Sequence, residues 1–147
     1  MAPSENVPVH TTRVSVRSYE LDSFAHANHT VLLNYLEHAR FQTLAAGGFT
    51  YAALRERGWG VFVVRIEVDY VKEARLGDEL DIHTWAASAR RTSVVMAQEA
   101  VRADDPDTVV VRARVTAVWV GPDRRPIPVP EEVRAVFGLP RAGTPAP

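Results

Sequence analysis

Residues 20–40 read ELDSFAHANHTVLLNYLEHAR, and within them the chain changes character. The first part gathers short polar side chains, Asp22, Ser23, His26, Asn28 and His29. The second part is apolar at helical spacing. Leu32, Leu36, Ala39 and Thr43 fall on one face, with Leu33 and Leu44 beside them, while Asn34, His38 and Gln42 form a narrow stripe opposite. This spacing predicts a helix over residues 30–46 that is buried over most of its circumference, because a surface helix shows a wider polar arc. Gly47-Gly48 ends it.

Outward from that helix the period becomes that of strands. Upstream, residues 11–21 alternate around Val14 and Val16. Downstream, residues 49–57 suggest a short second helix stopped by Gly58. In residues 61–71, Ile66, Val68 and Tyr70 alternate with Arg65, Glu67 and Asp69. Residues 80–85, 92–102 and 108–120 carry the same signal, and the connections at 76–78, 87–91 and 104–107 are short and turn-like. Parallel neighbours need long crossovers, so the last four strands are expected as one antiparallel meander. Pro126, Pro128 and Pro130 close it, and residues 131–137 are expected to add a last turn of helix.

One long buried helix needs a sheet that curls around it. The expected architecture is α+β: a hot-dog fold in which a five- to six-stranded antiparallel sheet wraps the helix. One helix covers one face only, so copies are expected to pair, as a homodimer or homotetramer. A single domain is expected over residues 9–137. Residues 1–8 and 138–147, rich in Pro, Gly, Ala and Ser, are expected to be flexible tails.

Composition narrows the function. The chain has 147 residues, enough to hide roughly 68–70% of its unfolded surface without disulfides or metal. It contains no cysteine, so thiol catalysis and thiolate metal sites are excluded. The net charge is -1 with scattered basic residues, which argues against a nucleic-acid partner. No apolar run approaches the roughly 20 residues that span a bilayer, and residues 1–8 lack the features of a secretory leader. A soluble cytoplasmic protein is expected.

No serine-hydrolase elbow, phosphate loop or dinucleotide fingerprint is present. His26 and His29 lack a third ligand at metal spacing, so neither metal nor cofactor is expected. What remains is the cluster before the helix. The first turn of a helix offers unpaired N–H groups and the positive end of its dipole, which would stabilise a carbonyl oxygen becoming an oxyanion. A carboxylate just upstream, Asp22, supplies the other part that ester-type hydrolysis needs. Structural readings stand beside this one. Asp22 could cap the turn at residues 23–25, Asn28 could be the helix N-cap, and Glu37 with Arg40 could form a surface ion pair.

The segment resembles the signature of the 4-hydroxybenzoyl-CoA thioesterase-like branch of hot-dog proteins. That pattern runs Asp-x-x-Gly-x-x-Asn-Asn/His and then an aromatic-containing helix ending Glu-x-Ala-Arg. Asp22, Asn28, His29, Tyr35, Glu37, Ala39 and Arg40 match it. Residues 66–84, IEVDYVKEARLGDELDIHT, resemble the family's strand-turn-strand, with Gly77-Asp78 at the hairpin. The resemblance implies an acyl-thioesterase acting on acyl-CoA or acyl-carrier-protein thioesters. It implies Asp22 as the catalytic carboxylate, the backbone N–H near His29 as the oxyanion site and Asn28 as an orienting group. The acyl chain would lie in a groove between subunits. Glu37 is counted with the substrate-binding residues, and the nucleotide would leave over Lys72, Arg75, Arg90 and Arg91. Three departures stand out: Ala25 at the usual glycine, Ala27 for a bulkier aliphatic residue, and Glu73 where proline is common. A non-catalytic thioester-binding protein and an enoyl-thioester hydratase are the competing readings on the same fold.

Overall fold

The computed structural model describes residues 2–143. Strand β1 covers His10–Ser15, followed by a 3-10 turn at Ser18–Glu20. Helix α1 covers His29–Ala46 and the short α2 Tyr51–Arg57. Strands β2 (Gly60–Tyr70), β3 (Glu79–Ala89), β4 (Ser93–Arg102) and β5 (Asp105–Val120) follow, and α3 (Glu131–Val136) comes last. The five strands form one antiparallel sheet in the order β1-β3-β4-β5-β2. The fold is α+β, a hot-dog arrangement of long helix and curved sheet.

Local chemistry explains the ends of α1. Asn28 is its N-cap, accepting from the Thr30 N–H at 2.8 Å and the Thr30 hydroxyl at 2.7 Å. At the far end Gly48 takes φ 94, and the Phe49 N–H returns to the Leu44 carbonyl at 2.8 Å. Leu32, Tyr35, Leu36, Ala39 and Thr43 are buried. Each large apolar side chain so hidden contributes roughly 1.5–3 kcal/mol.

The exposed arc of α1 is wider than its polar stripe predicts. Glu37 and Phe41 join Asn34, His38 and Gln42 at the surface, with Phe41 53% exposed. One sheet covers one face of the helix, so the far face stays open.

The predicted four-strand meander is corrected by the topology. Only β3, β4 and β5 run consecutively; β2 pairs with β5 at the far edge. Residues 71–78 therefore cross the end of the sheet from β2 to β3, three strand spacings or roughly 14 Å. Eight extended residues reach roughly 26 Å, so a segment that reads as a tight connection is long enough to cross. Strand β1 also stops at Ser15, earlier than the alternation over 11–21 suggests, because the chain turns at Ser18–Glu20.

The core has two parts. One lies under the first half of α1 and includes Val16, Leu32, Leu36, Leu80, Ile82, Val111 and Val115. The other lies around α2 and α3 and includes Phe49, Leu54, Met96, Trp119, Val133, Phe137 and Leu139. Residues 138–143 are thus not free of the core: Leu139 is buried and the Pro140 carbonyl accepts from Arg134 at 3.0 Å. Residues 144–147 of the expected C-terminal tail, and Met1, lie outside the described residues.

Candidate active site

The polar cluster before α1 folds as a small hairpin. The Asn28 N–H donates to the Glu20 carbonyl at 2.9 Å, and the Asp22 N–H to the His26 carbonyl at 2.7 Å. Leu21 and Ala27 pair between them. The crossing segment then adds a third line: the Ala27 N–H donates to the Ala74 carbonyl at 2.7 Å, and His26 bridges to Arg75. Asp22 and the start of α1 are thereby held side by side, with Ala74 fully buried beneath.

Asp22 is half-buried. Its Oδ1 accepts from the Phe24 N–H at 2.8 Å and the His26 N–H at 3.2 Å. Among the described residues its Oδ2 has no hydrogen-bond donor. One oxygen therefore fixes the loop while the other stays available. The capping reading of Asp22 holds for Oδ1, and the remaining oxygen is compatible with chemistry.

Asn28 spends its Oδ1 on the cap of α1, so its hydrogen bonds do not reach Asp22. His29 is the first residue of α1 and is exposed. Its ring meets Tyr70 edge-on at 6.1 Å, and its carbonyl accepts from the Tyr70 hydroxyl at 3.1 Å. The Asn28 side chain takes up the Thr30 N–H and leaves that of His29 to another acceptor.

The loop is tightly held. Ala25 sits at φ 62, the left-handed region that a glycine would enter freely. Glu20 Oε1 accepts from the Tyr35 hydroxyl at 2.6 Å and from the Arg17 N–H at 3.0 Å. Burial, and then Glu20 itself, holds the Tyr35 phenol above its ordinary range.

The remaining expected residues divide by position. Lys72 and Arg75 lie on the crossing segment beside the loop, Arg75 paired with Glu73 at 3.2 Å. Glu73 is held below its ordinary value by a bond from its own backbone and then by Arg75 and His26. Arg90 and Arg91 lie at the β3–β4 turn, the opposite end of the sheet in the same chain, and their carbonyls accept from Arg134. Glu37 is exposed on α1, one helical turn from Arg40. The two do not form the surface ion pair that their spacing allows. Arg40 turns inward to Gln98 Oε1 at 3.0 Å, and burial lowers its guanidinium against the opposing pull of Glu37.

Three participants were invisible in the sequence pattern: Glu20, Tyr70 and Ala74. Each acts through a partner 15, 41 or 47 residues away, a separation that carries no local signal.

The antiparallel sheet around one long helix defines the class of fold, a hot-dog domain. Residues 16–137 match the Thioesterase-like superfamily, and the chain belongs to it. It is 32% identical over 128 residues to the acyl-CoA thioester hydrolase YbgC of Escherichia coli O157:H7, covering 85% of this chain and 94% of that protein. It is 26% identical over 129 residues to the chloroplastic acyl-acyl carrier protein thioesterase ATL2 of Arabidopsis thaliana, covering 88% of this chain and 68% of that one. In backbone path it is similar to Slr0204, a 1,4-dihydroxy-2-naphthoyl-CoA thioesterase from Synechocystis. The TM-score is 0.80 at 17% identity, over 89% of this chain and 96% of that one. That likeness establishes the shared fold.

Proposed function

We propose that this protein hydrolyses the thioester bond of an acyl-CoA or acyl-carrier-protein substrate, with Asp22 as nucleophile or general base. The observation that carries the reading is the state of that carboxylate. Backbone N–H groups fix one oxygen, the other has no donor among the described residues, and the N-terminus of α1 lies alongside. The thioester oxygen would sit at the His29 N–H, where the helix dipole and an unpaired donor favour developing negative charge. Asn28 keeps that helix start in place. The acyl–sulfur bond breaks, water supplies the hydroxyl of the product acid, and its proton ends on the departing thiol. No metal or cofactor enters this scheme.

In this reading Lys72 and Arg75, on the segment beside the loop, would meet the substrate's phosphates. Arg90, Arg91 and Glu37 belong to the substrate path only through other parts of the chain or a second copy. A second copy is part of the reading. Strand β2 is an unpaired edge exposing Phe62, Val64, Ile66 and Tyr70 at 42% or more, and such an edge is covered in natural proteins. The expected assembly is a homodimer or homotetramer in the cytoplasm. Among the described residues no helix is long and apolar enough to cross a membrane.

The test is thiol release from a panel of acyl-CoAs, run with wild type and Asp22→Asn. Asparagine keeps an acceptor for the Phe24 and His26 N–H groups, so the loop is retained. A loss of about 10²–10⁴-fold is expected. Equal hydrolysis by both proteins would remove Asp22 from the mechanism, and binding of acyl-CoA without thiol release would identify a non-catalytic carrier.

A further inference from the structure

A cavity of about 260 Å³ lies between the second half of α1, the sheet and the C-terminal segment. Val94, Met96, Trp119, Val133, Phe137 and Leu139 line it, and its charged neighbours are the exposed Glu37 and the half-buried Arg40. An apolar cavity of about 150 Å³ holds a benzene ring, so this one takes a larger apolar group. A run of apolar side chains on β2 leads from it toward the start of α1. The residues of β2 opposite Val111, Ala113, Val115, Ala117 and Trp119 are Tyr70, Val68, Ile66, Val63 and Val61. Directly opposed residues share a face, and Val111, Ala113 and Val115 pack in the core under α1. An apolar track therefore runs along β2 from Tyr70, which touches His29, to Val61 and Val63 in the cavity wall.

We infer that this cavity receives the far end of an apolar acyl group, and that the C-terminal segment is its end wall and sets the longest group accepted. The inference rests on the thioesterase reading above. Three observations show that the wall is fixed. Arg134 is 3% exposed and donates to the carbonyls of Val129 at 3.3 Å, Pro140 at 3.0 Å and Arg90 at 2.6 Å. A Cβ on Gly47, at the end of α1, would lie 2.8 Å from Val136 Cγ1 and 2.9 Å from Phe137 Cζ, so α3 is seated hard against that helix. Val133 and Phe137 are buried in the same cluster as Trp119. From His29 to Glu37, beside the cavity, is eight residues of helix or about 12 Å. An acetyl group does not reach that far; a longer alkyl or aryl group does.

The experiment compares saturated acyl-CoAs from acetyl to stearoyl on wild type, Leu139→Ala and Leu139→Trp. Turnover gives kcat/KM. Calorimetric binding is measured in the Asp22→Asn background, so the cavity is read without hydrolysis. For Leu139→Ala the ratio of long-chain to short-chain kcat/KM is expected to rise by about 10-fold, and for Leu139→Trp to fall by a similar factor. Binding should follow the same order. Phe137→Ala, checked for folding by its thermal melt, should act as Leu139→Ala does. Chain-length profiles that superimpose on the wild type in both measurements overturn the inference while leaving Asp22 untouched. Should the wild type release no thiol at all, hydrolysis is refuted and the calorimetric profile alone decides the cavity.

Discussion

The Tyr35 hydroxyl donates a 2.6 Å hydrogen bond to Glu20 Oε1, joining the buried face of α1 to the residue that opens the site loop. Glu20 in turn holds Asn28 through its carbonyl and Arg17 through its carboxylate. One side chain thus ties together the strand end, the loop and the helix cap. Removing the hydroxyl leaves a half-buried carboxylate with one partner fewer. Tyr35→Phe is expected to lower stability by about 1–2 kcal/mol, read as a shift of the urea midpoint at unchanged slope. An unshifted midpoint would show that Glu20 needs no partner on the helix.

Ala25 offers the opposite case, a position that improves on substitution. At φ 62 an alanine carries a steric cost of about 1–2 kcal/mol that glycine escapes. Glycine gives back part of that gain through the extra freedom of the unfolded chain. Ala25→Gly is expected to stabilise by about 0.5–1 kcal/mol, whereas Ala25→Val should destabilise, since a branched side chain tolerates this region poorly. Chemical denaturation of the two variants beside the wild type checks both signs.

The pairing of β1 with β3 carries a pH dependence. Arg13 Nε and Nη2 donate to Asp81 at 2.8 and 3.0 Å, and this holds the Asp81 carboxyl below its ordinary value. A depressed folded-state pKa means that the unfolded chain binds the proton first. The contribution is present above the ordinary aspartate value of about 3.9 and is lost as pH falls through the lower, folded one. Arg13→Gln should therefore lower stability slightly at neutral pH and flatten the loss below pH ~4, where the wild type gives up the same contribution on protonation. Arg13 faces solvent and Asp81 is half-buried, so the difference should be small and should shrink with added salt. Melting curves at acid and neutral pH, at two salt concentrations, test it.

What could be read from the sequence follows the range of the interactions. The period of Leu32, Leu36, Ala39 and Thr43 is local, and α1 appears within one residue of its predicted start. The stops at Gly47-Gly48 and Gly58 are equally local: Gly58 adopts φ 68 at the end of α2. The neighbour of β2 is not local. Its alternation is satisfied equally by pairing with β3 or with β5, and only the three-dimensional closure of the sheet chooses β5. The site divides the same way. Asp22 and Asn28 were legible as loop and cap, because their hydrogen bonds reach two to four residues. Glu20–Tyr35, His29–Tyr70 and Ala27–Ala74 were not, since nothing in either partner's neighbourhood marks the other. Leu139 was missed for a related reason: one leucine among Pro, Gly and Ala reads as a tail until the pocket that receives it exists.

The place of β2 in the sheet also sets a schedule for synthesis. Its strand partner among the described residues, β5, ends at Val120, so β2 leaves the ribosome long before that partner is complete. During that interval an eleven-residue β-rich strand waits unpaired, the kind of segment that seeds aggregation. Arg65, Glu67 and Asp69, interleaved along it, are the charges that interrupt association with other nascent chains. Neutralising all three should leave a fold that can still close, yet lower the yield of soluble protein when translation is fast and chains are crowded.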